Sequence, residues 1–209
     1  MKLLELFSGT GSVGSAFAAR GWEVVSLDLD PKTKAQIHEN ILTWNYKVFP
    51  RGHFDAIWAS PCCTHYSCAR RGAKTLRNLD LADSLVCKSL EIIDYFQPKT
   101  WFIENPATGL LKDRPFMKEL AFADVDYCCY CDWGYRKRTR IWNNAGLNNN
   151  KCLGFGKCPN MEGRKHKTTA QQGRNRSKEG LYGSSFTQKE LHKIPLNLCL
   201  EICSACGIL

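Results

Sequence analysis

The residues whose types invite chemistry stand at the ends of short apolar runs. Phe54 to Trp58 reads as a buried strand, and Ser60-Pro61-Cys62 turns sharply out of it, leaving a thiol at the strand end. In an open α/β sheet, ligands sit beyond the carboxyl ends of the strands, so that thiol faces the crevice. A second run, Thr100 to Ile103, delivers Glu104-Asn105-Pro106 in the same way. Arg138-Thr139-Arg140 on a third strand would put both guanidinium groups on one face. Together they describe a nucleophilic site with its own acid and anchor. Plainer readings stand beside these. Cys62 can be an inert small residue or yield the role to Cys63, Glu104 can be structural, and the arginines can be phosphate clamps.

Ahead of this lies a glycine-rich turn. Lys2 to Phe7 reads as a first strand, and Gly9-Thr10-Gly11-Ser12-Val13-Gly14 opens a helix running to about Arg20. Glycines permit a tight turn and close approach of the backbone to a ligand. Glu23 to Leu27 is a second strand ending at Asp28-Leu29-Asp30, where an acid can bond ribose hydroxyls or merely cap a helix beginning at Pro31. The spacing Gly9-x-Gly11-x-x-Gly14 suits a dinucleotide and an S-adenosylmethionine site equally.

The remaining elements must hold these turns in place. Pro31 to Asn40 is expected as a helix and Tyr46 to Phe49 as a short strand or edge. Ser67 to Asn78 is basic and turn-rich, a mobile loop. Leu79 to Phe96 has helical periodicity through Leu81, Leu85, Leu90 and Ile93. Leu110 to Ala121 comes next as a helix interrupted at Pro115, then strands over Val125 to Tyr130 and Arg138 to Trp142. Residues 143–183 are polar and lack a period. Pro195 starts a closing helix with Leu198, Cys199 and Ile202 on its apolar side. This divides the chain into a catalytic unit over 1–144, a short recognition or insert lobe over 145–187, and a C-terminal helix, 188–209, packing back on the first.

The chain has 209 residues, enough for one α/β domain with an elaboration. Its net charge of +9, gathered after Arg136, points to a polyanionic partner. Twelve cysteines without a secretion signal read as reduced thiols in an intracellular protein, in cytoplasm or nucleus according to host, and not secreted. No run is apolar and long enough to span a bilayer, so no membrane partner is expected.

These motifs, in this order, resemble those of the C5-cytosine DNA methyltransferases, particularly the compact phage and large-virus types. Leu6-Phe7-Ser8-Gly9-Thr10-Gly11 is similar to the family's cofactor loop, Ser60-Pro61-Cys62 to its nucleophile motif, and Glu104-Asn105-Pro106 to its Glu-Asn-Val/Pro motif. Arg138-Thr139-Arg140 falls on the end of Gln-x-Arg-x-Arg. The resemblance implies a Rossmann-like methyltransferase fold, α/β, with a mostly parallel sheet and helices on both faces, plus a small polar insert lobe. It implies S-adenosylmethionine held by Phe7, Gly9, Thr10, Gly11, Ser12, Asp28, Leu29, Asn40, Ile41 and Pro61. It also implies catalysis by Cys62 and Glu104 on a flipped cytosine, with Arg140 on the base edge and Arg138 in support. DNA is the implied partner, double-stranded or single-stranded, with RNA as the alternative substrate. An inactive nucleic-acid-binding relative is the reading from another class.

Three places depart from the family pattern. Arg136 stands where glutamine is usual, Glu39-Asn40-Ile41 replaces an Asp-Ile pair, and His192-Lys193-Ile194-Pro195 lacks the Gly-Asn of the final motif. Cys152, Cys158 and His166 lie in a polar stretch that cannot build a core of its own. Small lobes of that kind are often held by metal, and Cys₃His is a closed zinc set. Resemblance to the viral relatives favours Cys128 as fourth ligand, with Cys131 next.

Overall fold

The computed structural model describes residues 1–68, 70, 73–170 and 186–207. Among them, β1 (Lys2–Leu6), β2 (Glu23–Asp28), β3 (Ile37–His38), β4 (Ala56–Ala59), β5 (Thr100–Pro106), β6 (Phe122–Asp126) and β7 (Arg138–Asn143) form one sheet. Its order is β3-β2-β1-β4-β5-β7-β6. The strands run parallel except β7, which is antiparallel to both neighbours. That reversed strand distinguishes the sheet from the dinucleotide-binding order 3-2-1-4-5-6. The order reverses at β1 and β4, so the switch-point crevice opens where the Gly9 and Cys62 loops leave the sheet.

Among the described residues, four helices accompany the sheet: α1 (Ser12–Ala18), α2 (Leu79–Phe96), α3 (Gln188–His192) and α4 (Leu196–Ala205). Alternation along the strands divides the core in two. Leu4, Leu6, Ile57, Ala59 and Ile103 pack with Val86, Ile93 and Phe96 of α2. Leu3, Ala56, Trp58 and Phe102 pack on the opposite face with Val13 and Phe17 of α1 and Leu198, Cys199 and Ile202 of α4. All four residues of β4 are buried, as expected of a strand covered on both sides.

Helix α2 has the expected bounds: Asn78 caps it by accepting from the Leu81 N–H, and Gln97 ends it in the left-handed region. Its buried stripe is rotated from the expected one. Ala82, Val86, Ser89 and Ile93 face inward, while Leu81 is exposed.

Other expectations are corrected. Residues 31–40 form turns and then β3, not a helix. Asp30 accepts from the Lys32 N–H, and Gln36 exchanges side-chain and backbone hydrogen bonds with Ser26, drawing the chain alongside β2. Tyr46–Val48 is a single 3-10 turn rather than a strand. The helix expected over 110–121 is two 3-10 turns, Leu110–Asp113 and Pro115–Met117, because Pro115 cannot continue the first. The strand expected over 125–130 lies earlier, at β6, and a 3-10 turn, Tyr127–Cys129, comes after it.

After β7 the chain returns along the outer edge of β6. Asn150 bridges Val125 in parallel, and the Asp124 N–H donates to Asn149 Oδ1 at 2.8 Å. Beyond it stands a two-stranded hairpin, β8 (Met161–Glu162) and β9 (Lys165–His166). Residues 171–185 of the expected recognition lobe, and 69, 71 and 72 of the expected mobile loop, lie outside the described residues. The last segment returns to the start of α1, where the Ile194 N–H donates to Ser12 Oγ at 3.3 Å. No helix among the described residues is long and apolar enough to cross a membrane.

Candidate active site

The glycine loop leaves β1 under strain. Phe7 has φ of 56°, which a side chain rarely adopts, and Gly9 and Gly11 come next at 51° and 67°. Asp28 at the end of β2 secures the loop: its Oδ2 accepts from the Gly9 N–H at 2.8 Å, while Oδ1 accepts from the Asp30 N–H. A carboxylate oxygen has two lone pairs, so Asp28 keeps acceptor capacity for a ribose hydroxyl. Leu29, next to it, is 68% exposed, an apolar surface beside the crevice. Thr10 and Ser12 join through their hydroxyls at 2.8 Å. Asn40 Oδ1 accepts from the Leu42 N–H and closes a turn, and Ile41 is buried in the core.

Gly14 has a tighter reason to be glycine. A Cβ there would come within 2.4 Å of the Glu5 carboxylate. Glu5 Oε1 accepts from the Gly14 N–H at 2.9 Å, and burial pushes its carboxyl up to about 7.

Beyond β4, Cys62 is exposed at the rim and its thiol donates to Thr64 Oγ1 at 3.2 Å. Cys63 is different: burial, reinforced by the Glu104 carboxylate, pushes its thiol up to about 11. A thiol so reluctant to ionise is a poor nucleophile. The turn itself is tied down. Asn105 donates to the Pro61 carbonyl at 2.9 Å, and the Tyr66 and Ser67 N–H groups return to the Cys63 carbonyl. Tyr66 is wholly buried and donates to Asp83, which Arg114 also clasps.

Glu104, next to Asn105, is 8% exposed, and its Oε1 is buried without a hydrogen-bond partner. Burial raises this carboxyl above the usual range, against the opposing pull of Lys137 and the Ser60 hydroxyl. It is therefore biased toward the acid form that donates a proton.

The cross-strand register sorts the basic residues. Glu104 faces Ile141 and Asn105 faces Arg140, so Arg138 and Arg140 lie on the Asn105 face and Lys137 on the Glu104 face. Arg140 is committed to Asp124 at 2.7 and 3.0 Å and lies 3.5 Å from the Phe122 ring centre. Its side chain lies on the sheet face opposite to that of Glu104. Arg138, at the crevice end of β7, is exposed and lines a cleft of about 220 Å³ with Arg136, Lys151, Thr108 and Asp126.

Lys137 was not among the expected site residues, yet its charge bears on both Glu104 and Cys63. Its Nζ donates to the Leu191 carbonyl of α3 at 3.0 Å and lies 4.8 Å from the Tyr127 ring centre. Strand alternation with Glu104 was the available signal, but using it requires the β5–β7 register. Asp124, Asp126 and Asn160 were also missed, since each acts through a distant partner.

Away from the crevice, Cys128, Cys152, Cys158 and His166 bring four ligand atoms within 4.8 Å of one another, a set able to hold a metal ion. Cys131 stays outside it, its thiol donating to the Tyr127 carbonyl at 3.2 Å.

Comparison with known proteins identifies the family and the fold. Residues 1–122 match the model of the C-5 cytosine-specific DNA methylase family. A probable DNA (cytosine-5)-methyltransferase of Frog virus 3 (isolate Goorha) is 37% identical over 224 residues, covering 99% of this chain and all of that protein. Among solved structures, a putative DNA modification methyltransferase encoded within a prophage (E. coli) aligns at a TM-score of 0.50 and 15% identity. The alignment covers 68% of this chain but 46% of that one, so the present chain spans about half the length of this structural relative. DNMT2 of Spodoptera frugiperda aligns at a TM-score of 0.49 and 16% identity, over 79% of this chain and 61% of that one. With the family match reaching over more than half of its length and the viral relative over nearly all of it, the chain belongs to the C-5 cytosine-specific DNA methylases.

Proposed function

We propose that this protein is an S-adenosylmethionine-dependent DNA (cytosine-5)-methyltransferase that works through Cys62 and Glu104. The observation that carries the residue assignment is Glu104, a buried acid with an unpartnered oxygen, one residue from the amide that holds the Pro61-Cys62 turn. S-adenosylmethionine supplies an electrophilic methyl group on a sulfonium centre. It would be held by Phe7, Gly9, Thr10, Gly11 and Ser12, with Asp28 on the ribose and Leu29 against the adenine. Asn40, Ile41 and Pro61 would close the pocket.

Cytosine C5 is a poor nucleophile. Addition of the Cys62 thiolate at C6 makes C5 enamine-like, and a proton from Glu104 to N3 takes up the charge that develops. After methyl transfer a base removes the C5 proton, the C6–sulfur bond breaks, and Cys62 leaves as thiolate. The ring face is hidden in a duplex, so the target base is flipped out or already unpaired. Duplex DNA is the proposed substrate, since Arg136, Arg138 and Lys151 line one cleft and the chain carries a net charge of +9. Arg138, uncommitted and at the rim, is the arginine better placed to meet the nucleic acid, while Arg140 holds Asp124. Residues 145–187 would form the recognition lobe.

Labelled methyl transfer from S-adenosylmethionine to duplex DNA, single-stranded DNA, RNA or no acceptor tests the reading. Incorporation into DNA as 5-methylcytosine is expected. Incorporation into RNA alone, or cofactor binding without transfer, would overturn it.

A further inference from the structure

We propose that Cys128, Cys152, Cys158 and His166 bind one structural zinc ion that clamps the insert lobe to the end of the catalytic sheet. The proposal stands independently of the methyl-transfer reading, because none of the four side chains belongs to the crevice that holds Cys62 and Glu104.

The geometry is specific. In tetrahedral zinc sites Zn–S is about 2.3 Å and Zn–N about 2.0–2.1 Å, so sulfur lies about 3.5 Å from nitrogen and about 3.8 Å from another sulfur. His166 Nε2 lies 3.5 Å from Cys152 Sγ and 3.7 Å from Cys158 Sγ. All four ligand atoms fall within 4.8 Å of one another. They come from three separate stretches: the turn after β6, the loop after the edge-covering segment, and strand β9. Convergence of soft ligands from distant segments is not what unrelated free thiols produce. The donor set suits zinc over calcium or magnesium, which take oxygen ligands.

The surroundings are built to orient these ligands. The Cys152 N–H donates to Asp126 Oδ2 at 2.8 Å, and the Gly154 N–H lies 3.4 Å from Cys152 Sγ. Gly154 at φ of 81° and Gly156 at 77° let the chain double back between the two cysteines, and the Cys158 N–H returns to the Gly154 carbonyl at 3.0 Å. Asn160, 2% exposed, donates to the Cys128 and Cys131 carbonyls at 3.0 and 2.8 Å and accepts from the Gly134 N–H. Hydrogen bonds of this kind around the ligands orient a metal site.

Charge also balances. Three thiolates and a neutral imidazole around Zn²⁺ carry a net charge of −1. The adjacent cation is Arg136, paired with Asp126 at 2.9 Å. That gives Arg136 a purpose in the position where related enzymes carry glutamine. The clamp lies at the foot of the strand that presents Lys137 and Arg138, so it sets where that strand meets the crevice.

Metal analysis of full-length protein, purified without chelator from zinc-replete medium, is the test. About one equivalent of zinc per chain is expected, with Cys158→Ser and His166→Ala falling below about a tenth and Cys131→Ser retaining it. Should those variants not fold, the wild-type stoichiometry still decides. Cobalt substituted into the wild-type chain should show the near-ultraviolet thiolate-to-metal band. Removing zinc by chelation should weaken duplex binding at least about tenfold and leave S-adenosylmethionine binding within about twofold. Folded wild-type protein with under about a tenth of an equivalent would overturn the site. Loss of zinc in Cys131→Ser with retention in Cys128→Ser would overturn the ligand set.

Discussion

Asn105 donates its side-chain amide to the Pro61 carbonyl at 2.9 Å, joining the ends of β4 and β5 one residue from Cys62 on one side and one from Glu104 on the other. Both groups are buried, so the bond is not exchanged for water without cost. Asn105→Ala should lower the rate of methyl transfer about 10–100-fold and stability by about 1–3 kcal/mol. S-adenosylmethionine affinity should hold. Single-turnover kinetics beside calorimetry separates these, and loss of cofactor binding in step with rate would refute a positioning role.

Cys62→Ser should reduce turnover by more than about 10³-fold while leaving the fold intact, because a hydroxyl adds to C6 far less readily than a thiolate. DNA carrying 5-fluorocytosine should trap the wild-type enzyme covalently, since the fluorine cannot leave as a proton. Cys63→Ser should still be trapped. Trapping by Cys62→Ala would move the nucleophile.

Two buried carboxyls make the protein sensitive to pH in a defined direction. Glu5 and Glu104 both bind a proton more tightly in the folded chain than in the unfolded one. Stability is therefore full in the acid range and declines as pH rises, for Glu5 until its folded value of about 7 is passed. Glu5→Gln should remove about 3 kcal/mol of that decline, read by urea unfolding at pH 5 and 8. Glu104→Gln should also flatten stability, but it should cost about 10²–10⁴-fold in rate. A pH–rate profile falling on the alkaline side in the wild type identifies Glu104 as the acid.

The arginines should part company. Arg138→Ala should weaken duplex binding and reduce the salt slope by about one phosphate contact. Arg140→Ala should instead destabilise the fold by about 1–3 kcal/mol, because it leaves Asp124 without its bidentate partner. A rate loss in Arg140→Ala with unchanged stability would restore the base-edge role to that residue.

The parts of the site readable in the sequence were those encoded within a few residues. The glycine turn, Pro61-Cys62 and Glu104-Asn105-Pro106 each sit at the end of an apolar run, and the run itself says where they point. Helix α2 was equally legible because its cap residue and its αL exit are local. What escaped depended on partners far along the chain. Residues 31–40 have no strand signal until Gln36 meets Ser26. Lys137 was hidden between two more conspicuous arginines, and only the β5–β7 register assigns it to the Glu104 face. Cys128 and Cys131 are equivalent on paper; the Tyr127–Cys129 turn aims one of them at the lobe.

The return of residues 149–150 along β6 has a consequence for solution behaviour. Strand β6 ends the sheet, and an unguarded outer strand offers its N–H and C=O groups to any other chain. Asn149 and Asn150 take up those groups at Asp124 and Asp126, and the charged Lys151 comes immediately after. The segment that leads from β7 into the polar stretch thus acts as a guard against strand-to-strand self-association, and protein in which it is cut away should be lost to aggregation before it is lost to unfolding.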